Sequence, residues 1–193
     1  MAQILPLRLP DAPPDDGEVV ARAIEGDAWA RRELFQRHAP RLVALLVRLL
    51  GSHADAEDAA QDAFVEAFRD LKALETRGDF GRWLVRIAVH QAHRRFRRRK
   101  FWALFGRRPE LDARFEAITD DRVTPERRAE LVWLDEFLAD QPALDRTIYL
   151  LRHVEEFELT EIAHAVGASL ATVKRKLSAI SERLEKHRRS HEQ

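Results

Sequence analysis

The sequence predicts an all-α protein with two small helical domains joined by a linker, and three observations support this prediction. Ala, Leu, Arg and Glu, which favour helix, dominate, while the 193 residues include only 7 glycines and 1 tyrosine. Apolar side chains recur at the spacing of one helix face. Glycine, proline and acidic residues interrupt this pattern in the middle of the chain. The expected division is a disordered leader at 1–17, domains at 18–100 and 126–190, and a linker at 101–125.

Composition excludes several classes of protein and site. The chain has no cysteine, so disulfides, thiolate metal sites and cysteine nucleophiles are excluded. No apolar run reaches the roughly 18 residues of a membrane-spanning helix, and the acidic, proline-rich N-terminus is unlike a signal peptide. A cytoplasmic protein without stable membrane insertion is therefore expected. His90 and His93 could share a metal ion, but no third ligand is evident, and neither a metal nor a cofactor is predicted.

Charge is balanced in total but segregated along the chain. Lysine and arginine together number 33, and so do aspartate and glutamate. Because binding depends on local potential, this segregation favours a nucleic-acid partner despite the zero net charge. A small basic cluster lies at 174–176, and acidic residues gather at 55–62, 110–121 and 155–161. The main basic block consists of Arg94, Arg95, Arg97, Arg98, Arg99, Lys100, Arg107 and Arg108.

Capping and breaking residues divide both domains into helices. A short helix near 18–25 should stop at Gly26, and Asp27 can cap the next one. Pro40 suits the first turn of a further helix, which should end at Gly51. The other expected helices cover about 53–74 after a Ser52 cap, 80–100, the segment between Pro125 and Pro142, and 143–155, with two short helices after them.

An acidic helix face is predicted where the chain reads DAEDAAQDAF, at 55–64. Asp55, Asp58 and Asp62 are three or four residues apart, so they share one face, with Gln61 beside them. Composition alone favours a solvated surface. A contact for a basic partner surface is the other interpretation.

A basic helix with aromatic residues at one end is predicted from RWLVRIAVHQAHRRFRRRK, at 82–100. Phe80 and Trp83 would offer stacking surfaces next to cations that neutralise phosphates, the combination found in single-strand binders. The alternative interpretation places Trp83 in an ordinary core.

A helix-turn-helix is predicted at 160–183. Thr160 can cap the first helix, Gly167 suits the positive φ of a tight turn, and Ser169 can cap the second helix. Val173 and Leu177 would be buried, which turns Leu170, Ala171, Lys174, Arg175 and Ser178 outward. Arg175 is the expected base reader because it faces away from the buried side chains. An ordinary helical hairpin with a solvated basic face is the alternative.

These motifs, in this order, resemble the extracytoplasmic-function (ECF) sigma factors of bacterial RNA polymerase. DAEDAAQDAF is similar to sigma region 2.2, the basic helix to regions 2.3 and 2.4, and the stretch from Pro142 to Leu184 to region 4. The resemblance covers about 18–100 and 126–187, and implies sigma region 2 and sigma region 4 domains. It implies a sigma factor, not an enzyme, that binds core RNA polymerase and directs promoter recognition and transcription initiation.

The resemblance also implies roles for individual residues. The polymerase β′ clamp helices would meet Asp55, Asp58, Gln61 and Asp62, and the β flap would meet a surface around Leu150, Leu151 and Phe157. An anti-sigma factor is a further expected partner. Implied minus-ten DNA contacts are Phe80, Trp83, Arg86, His90, Arg94, Arg95, Arg97 and Arg98. Implied minus-thirty-five DNA contacts are Ser169, Ala171, Thr172, Lys174, Arg175, Lys176 and Ser178.

Four other functions are alternatives to a sigma factor. A stand-alone DNA-binding regulator would leave DAEDAAQDAF unexplained, and a decoy for an anti-sigma factor would not need the basic block. An enzyme is disfavoured because no His, Asp and Ser set has nucleophile spacing. The stretch RRRKFWALFGRR suits a lipid interface as a side activity. Alternatively, its apolar residues Phe101, Trp102, Leu104 and Phe105 dock on a helical domain.

The linker is long enough to join two separate DNA-reading domains. About 25 extended residues reach about 85 Å, which is close to the length of about 25 base pairs of DNA. The aromatic residues at 101–105 should nevertheless favour collapse of the free protein. A compact free state with partly hidden DNA-binding surfaces, or a state clamped by an anti-sigma factor, is therefore predicted, and either would open on binding polymerase. A simple flexible tether is the alternative.

Overall fold

The computed structural model describes residues 15–104 and 124–191, with side chains at 15–96, 124 and 129–190. These residues contain α-helices and single turns of 3-10 helix but no strand, which confirms the predicted all-α class. The predicted leader up to residue 14 and most of the predicted linker, 105–123, lie outside the described residues. The helices are α1 (Asp16–Ile24), α2 (Ala28–Leu50), α3 (His53–Arg69), α4 (Phe80–Leu104), α5 (Pro125–Ala139), α6 (Ala143–His153), α7 (Leu159–Val166) and α8 (Leu170–His191).

Helices α1 to α4 form the first domain around long helix α2, which packs against the other three. Small side chains on α3 let it approach α2 closely, because Ala56, Ala59 and Ala63 are fully buried. Aromatic rings fill the space beside them, and the Phe35 and Phe64 centroids lie 4.7 Å apart. The predicted caps are confirmed: Asp27 accepts a hydrogen bond from the Trp29 N–H at 2.8 Å, and Ser52 accepts one from the Asp55 N–H at 3.3 Å.

Three helix boundaries differ from the prediction. Pro40 lies inside α2 and does not begin a new helix. Although proline removes one helical hydrogen bond, buried leucines on both sides of Pro40 keep the helix continuous on the core. Helix α3 ends at Arg69, and a 3-10 turn follows it at Leu71–Ala73. Helix α4 continues to Leu104, four residues beyond the predicted end at 100.

Helices α5 to α8 form the second domain, in which α6, α7 and α8 pack on one another around Ile148, Ile162 and Val173. The turn between α7 and α8 is the predicted one. Gly167 adopts φ 64°, and the Ser169 hydroxyl accepts a hydrogen bond from the Thr172 N–H at 3.2 Å.

Two details of the helix-turn-helix differ from the prediction. Glu158 caps α7 in place of Thr160, since Glu158 and Glu161 form a reciprocal capping box that satisfies two backbone donors. The last helix is also not short, because α8 has 22 residues.

The two domains contact each other directly, with α2 and α4 of the first lying against α5, α6 and α7 of the second. Arginines bridge the contact. Arg48 pairs with Asp135 at 3.0 Å, Arg41 pairs with Glu155 at 3.0 Å, and Arg146 donates to the Leu49 carbonyl at 2.6 Å. The described residues therefore adopt the compact arrangement that the sequence predicts. The aromatic side chains at 101–105, expected to drive it, lie outside the described side chains.

We expect Gly167→Ala to destabilise the second domain, because φ 64° brings a Cβ atom into steric conflict with its own backbone. The expected loss is about 1–2 kcal/mol in the free energy of unfolding, measured by urea denaturation. Gly78→Ala is the matched control, since a Cβ there has open space and ordinary φ. Equal stabilities of the two variants would contradict the left-handed turn.

Candidate nucleic-acid interface

Helix α4 presents its aromatic residues at different depths. Phe80 is fully buried, at 0% exposure, and its ring stacks on Phe68 with centroids 6.3 Å apart. The prediction that Phe80 contacts DNA is therefore wrong for this structure, because core packing uses the whole ring. Trp83 is only partly buried and packs beside Phe80. Trp83 is therefore less enclosed by the core than Phe80 is.

The basic residues after Trp83 differ in their exposure to solvent. His90 and Arg94 are exposed, while Arg86 and Arg95 are partly buried. Arg95 donates to Asp62 on α3 at 2.8 Å, so one predicted DNA contact is paired with one predicted polymerase contact. The predicted contacts Arg97 and Arg98 lie outside the described side chains.

Sequence reasoning missed Arg82, which is the main contact between α4 and the second domain. Its Nη1 atom donates to both carboxylate oxygens of Glu161, at 2.9 and 2.7 Å, and its Nη2 atom donates to the Glu156 carbonyl at 2.8 Å. The guanidinium also lies 5.0 Å from the Phe157 ring centroid. Arg82 directly precedes Trp83, so the second domain covers the start of the basic helix.

The acidic side of this contact is held ionised. Burial alone would raise the pKa of Glu161, but the Glu158 backbone N–H and the charges of Arg82 and Arg86 hold the pKa below its ordinary value. Glu156 contributes its carbonyl from a left-handed backbone conformation, φ 56°, that non-glycine residues seldom adopt. The Glu161 carboxylate and the Glu156 carbonyl thus accept hydrogen bonds from the Arg82 guanidinium, as phosphate oxygens would.

Helix α8 presents a basic face to solvent. Lys174 and Arg175 are exposed, together with Ala171 and Ser178, while Val173 is buried. Ser169 is exposed but serves as the helix cap, and the Thr172 hydroxyl lies 2.9 Å from the Ser169 hydroxyl. The predicted outward face is thus present on one side of the helix.

Lys176 does not belong to that outward face. Its Nζ atom donates to Asp145 on α6 at 2.5 Å, and Arg183 of α8 donates to the other Asp145 oxygen at 2.7 Å. The predicted minus-thirty-five contact of Lys176 is therefore corrected. Sequence reasoning counted its charge but could not see a partner 31 positions away.

The acidic motif forms an open face on α3. Asp58, Gln61 and Asp62 are all exposed, while Asp55 is partly buried beside the helix cap. Val65 continues the same face one turn further and is 62% exposed, which is unusual for an apolar side chain in a well-packed domain. The face is therefore acidic with an apolar end.

Comparison with known proteins identifies both domains. The family model described as Sigma-70 region 2 matches residues 34–101, and that described as Sigma-70, region 4 matches residues 125–184. The chain belongs to the ECF RNA polymerase sigma factors. As a sigma factor, it binds core RNA polymerase and directs promoter recognition, with region 2 engaging the minus-ten element and region 4 the minus-thirty-five element.

Individual relatives agree with this family. The sigma factor is 27% identical over 180 residues to the ECF RNA polymerase sigma factor SigW of Bacillus subtilis, covering 86% of this chain and 92% of the relative. It is 31% identical to the RNA polymerase sigma factor NccH of Alcaligenes xylosoxydans xylosoxydans, covering 89% and 94%. Its fold is similar to that of the sigma factor RpoE of Bartonella quintana, solved with the anti-sigma factor NepR, at a TM-score of 0.64 and 20% identity, covering 80% and 94%.

The surface expected to meet the β flap needs correction. Leu150, Leu151 and Phe157 of this sigma factor are almost fully buried, because they form the core that holds α6 against α7 and α8. Val154, between α6 and α7, is the large apolar side chain exposed nearby.

The described residues hold neither a metal-binding cluster nor a membrane-spanning helix. The described residues contain no group of three or more metal-ligating side chains. The two histidines have different surroundings. His90 is exposed, whereas His93 is partly buried and lies 3.4 Å from the Thr147 hydroxyl. Among the described residues, no helix is long and apolar enough to cross a membrane.

Phe80 and Trp83 should respond differently to truncation. Phe80→Ala should lower the free energy of unfolding by about 3–5 kcal/mol, because it leaves a cavity in the region 2 core. Trp83→Ala should fold but reduce promoter opening, measured by permanganate reactivity of a promoter bound by the holoenzyme, more than closed-complex binding. Unfolding of region 2 by Trp83→Ala would assign Trp83 to the core.

Proposed function

We propose that the exposed face of α3 is the surface through which this sigma factor binds the β′ clamp helices of core RNA polymerase. The observation that carries the proposal is the common exposure of Asp58, Gln61 and Asp62 on one helix face. Exposed carboxylates suit a basic surface on another protein, and Val65 adds apolar contact area at the end of the face.

The promoter contacts follow from the two basic helices. Trp83 and the exposed His90 and Arg94 of α4 would hold the minus-ten strand, and Lys174 and Arg175 of α8 would contact the minus-thirty-five element. The two domains, at 18–100 and 126–190, would act as separate DNA readers joined by the segment between them. The protein would act in the cytoplasm without catalysing a reaction of its own, in partnership with an anti-sigma factor.

Asp58→Arg should weaken binding to core RNA polymerase, because it reverses charge at the centre of the acidic face. We expect at least a tenfold loss, or about 1.4 kcal/mol, in co-purification with core polymerase and in run-off transcription. Glu75→Arg is the matched control, since Glu75 is exposed in the same domain but lies beyond the end of α3. Equal binding by the two variants would contradict the proposed surface.

The contact between the two domains determines which of the proposed binding surfaces are accessible in the free protein. Arg82 cannot bind a DNA phosphate while Glu161 and the Glu156 carbonyl hold it. The acidic face of α3 is exposed in the same arrangement. Core polymerase could therefore dock on region 2 first, and separation of region 4 would then free the start of α4. Exposed ion pairs contribute only about 0.2–1 kcal/mol each, so the polymerase contact can offset their loss.

Glu161→Gln should shift the free protein toward an open form. Glutamine retains the capping hydrogen bond of α7 but loses the charge that attracts Arg82. The radius of gyration from small-angle scattering should rise relative to wild type. Glu136→Gln, at an exposed site on α5, removes the same charge and should leave the radius unchanged. An unchanged radius for Glu161→Gln would mean that this ion pair does not hold the domains together.

A further inference from the structure

A buried ion cluster of region 4 joins α6 to the recognition helix. The Asp145 side chain is only 6% exposed, and each of its oxygens accepts a hydrogen bond from a different cation of α8. Lys176 lies at 2.5 Å from one oxygen and Arg183 at 2.7 Å from the other. These two cations are seven positions apart, which is about two helical turns, so they lie on the same side of α8.

The charges in this cluster are compensated. Burial alone would raise the pKa of Asp145, but the hydrogen bonds and charges of Lys176 and Arg183 outweigh burial and hold the pKa below its ordinary value. Asp145 is therefore ionised at neutral pH. A buried carboxylate between two cations cancels much of the field that those cations would otherwise project toward DNA.

The cluster also fixes the rotation of α8 about its axis. At about 100° per residue, Lys176 and Arg183 lie about 60° and 80° from the buried Val173. Arg175 lies about 160° from Val173, and Lys174 about 100° in the opposite sense to Lys176. The buried Val173 and Ile180 and the Asp145 cluster thus form one continuous side of the helix. The opposite side carries the exposed Lys174 and Arg175.

We infer that Asp145 is a positioning residue for minus-thirty-five recognition, which divides the basic residues of α8 into a DNA-facing set and a structural set. The inference rests on the proposed DNA contact of α8. Lys174 and Arg175 form the DNA-facing set, while Lys176 and Arg183 are held away from phosphates. Asp145 thereby limits sequence-independent attraction and leaves binding more dependent on the contacts that read bases.

The salt dependence of DNA binding distinguishes the two sets, because each phosphate contact contributes about 0.9 to the slope of log K against log salt. The measurement is fluorescence anisotropy of the full-length protein with a labelled random-sequence duplex between about 50 and 200 mM salt. Lys174→Gln should reduce the slope by about 0.9, and Lys176→Gln, the same change on the same helix, should leave it unchanged. Equal reductions would overturn the inference while leaving α8 as a DNA contact. If neither slope changes, the DNA contact of α8 fails and the inference fails with it.

Removal of the Asp145 carboxylate should increase the salt dependence of DNA binding. Asp145→Asn frees both cations and should steepen the slope by up to about 1.8, with tighter binding to the random duplex at low salt. Asp140→Asn, at an exposed position just before α6, makes the same change in net charge and is the control. Identical slopes for the two variants would overturn the inference. If Asp145→Asn does not fold, as circular dichroism would show, the lysine pair decides the question alone.

Discussion

Pairing of arginine and lysine with partly buried carboxylates is the interaction on which the organisation of this sigma factor depends. Arg82 and Glu161 join region 2 to region 4, and Asp145 fixes the rotation of the recognition helix through Lys176. The apolar core of each domain determines that helices form and pack. The ion pairs determine which basic side chains remain for DNA. A chain with zero net charge can thus present basic surfaces while many of its cations are neutralised internally.

The internal pairing explains why this protein needs a partner to open DNA. Flipping a base costs a few kcal/mol, and stacking it on an aromatic ring returns about 1–3 kcal/mol, so the two nearly cancel. We propose the partly buried Trp83 as one such surface, and Arg82 next to it is paired with region 4. We therefore propose that binding energy from core polymerase both separates the domains and holds the melted strand.

Sequence reasoning succeeded for most local determinants, although Glu158 and not Thr160 caps α7. The Asp27 and Ser52 caps and the Gly167 turn depend on neighbouring residues, and all three are present. It failed at Pro40, where packing along α2 overrides a local helix-breaking preference. The site predictions failed for a related reason. Phe80 is a core residue and Lys176 is paired with Asp145, and neither fact can be read from a motif without the tertiary contacts.

The distance between the two domains, before and after polymerase binding, tests the central claim most directly. Because the chain has no cysteine, two dyes can be attached through Glu75→Cys in region 2 and Glu185→Cys on α8, both at exposed positions outside the proposed polymerase-binding face. Single-molecule energy transfer should show one short distance in the free protein and a much longer one after core RNA polymerase is added. A long or broadly distributed distance in the free protein, or a short distance that persists on the polymerase, would contradict the account.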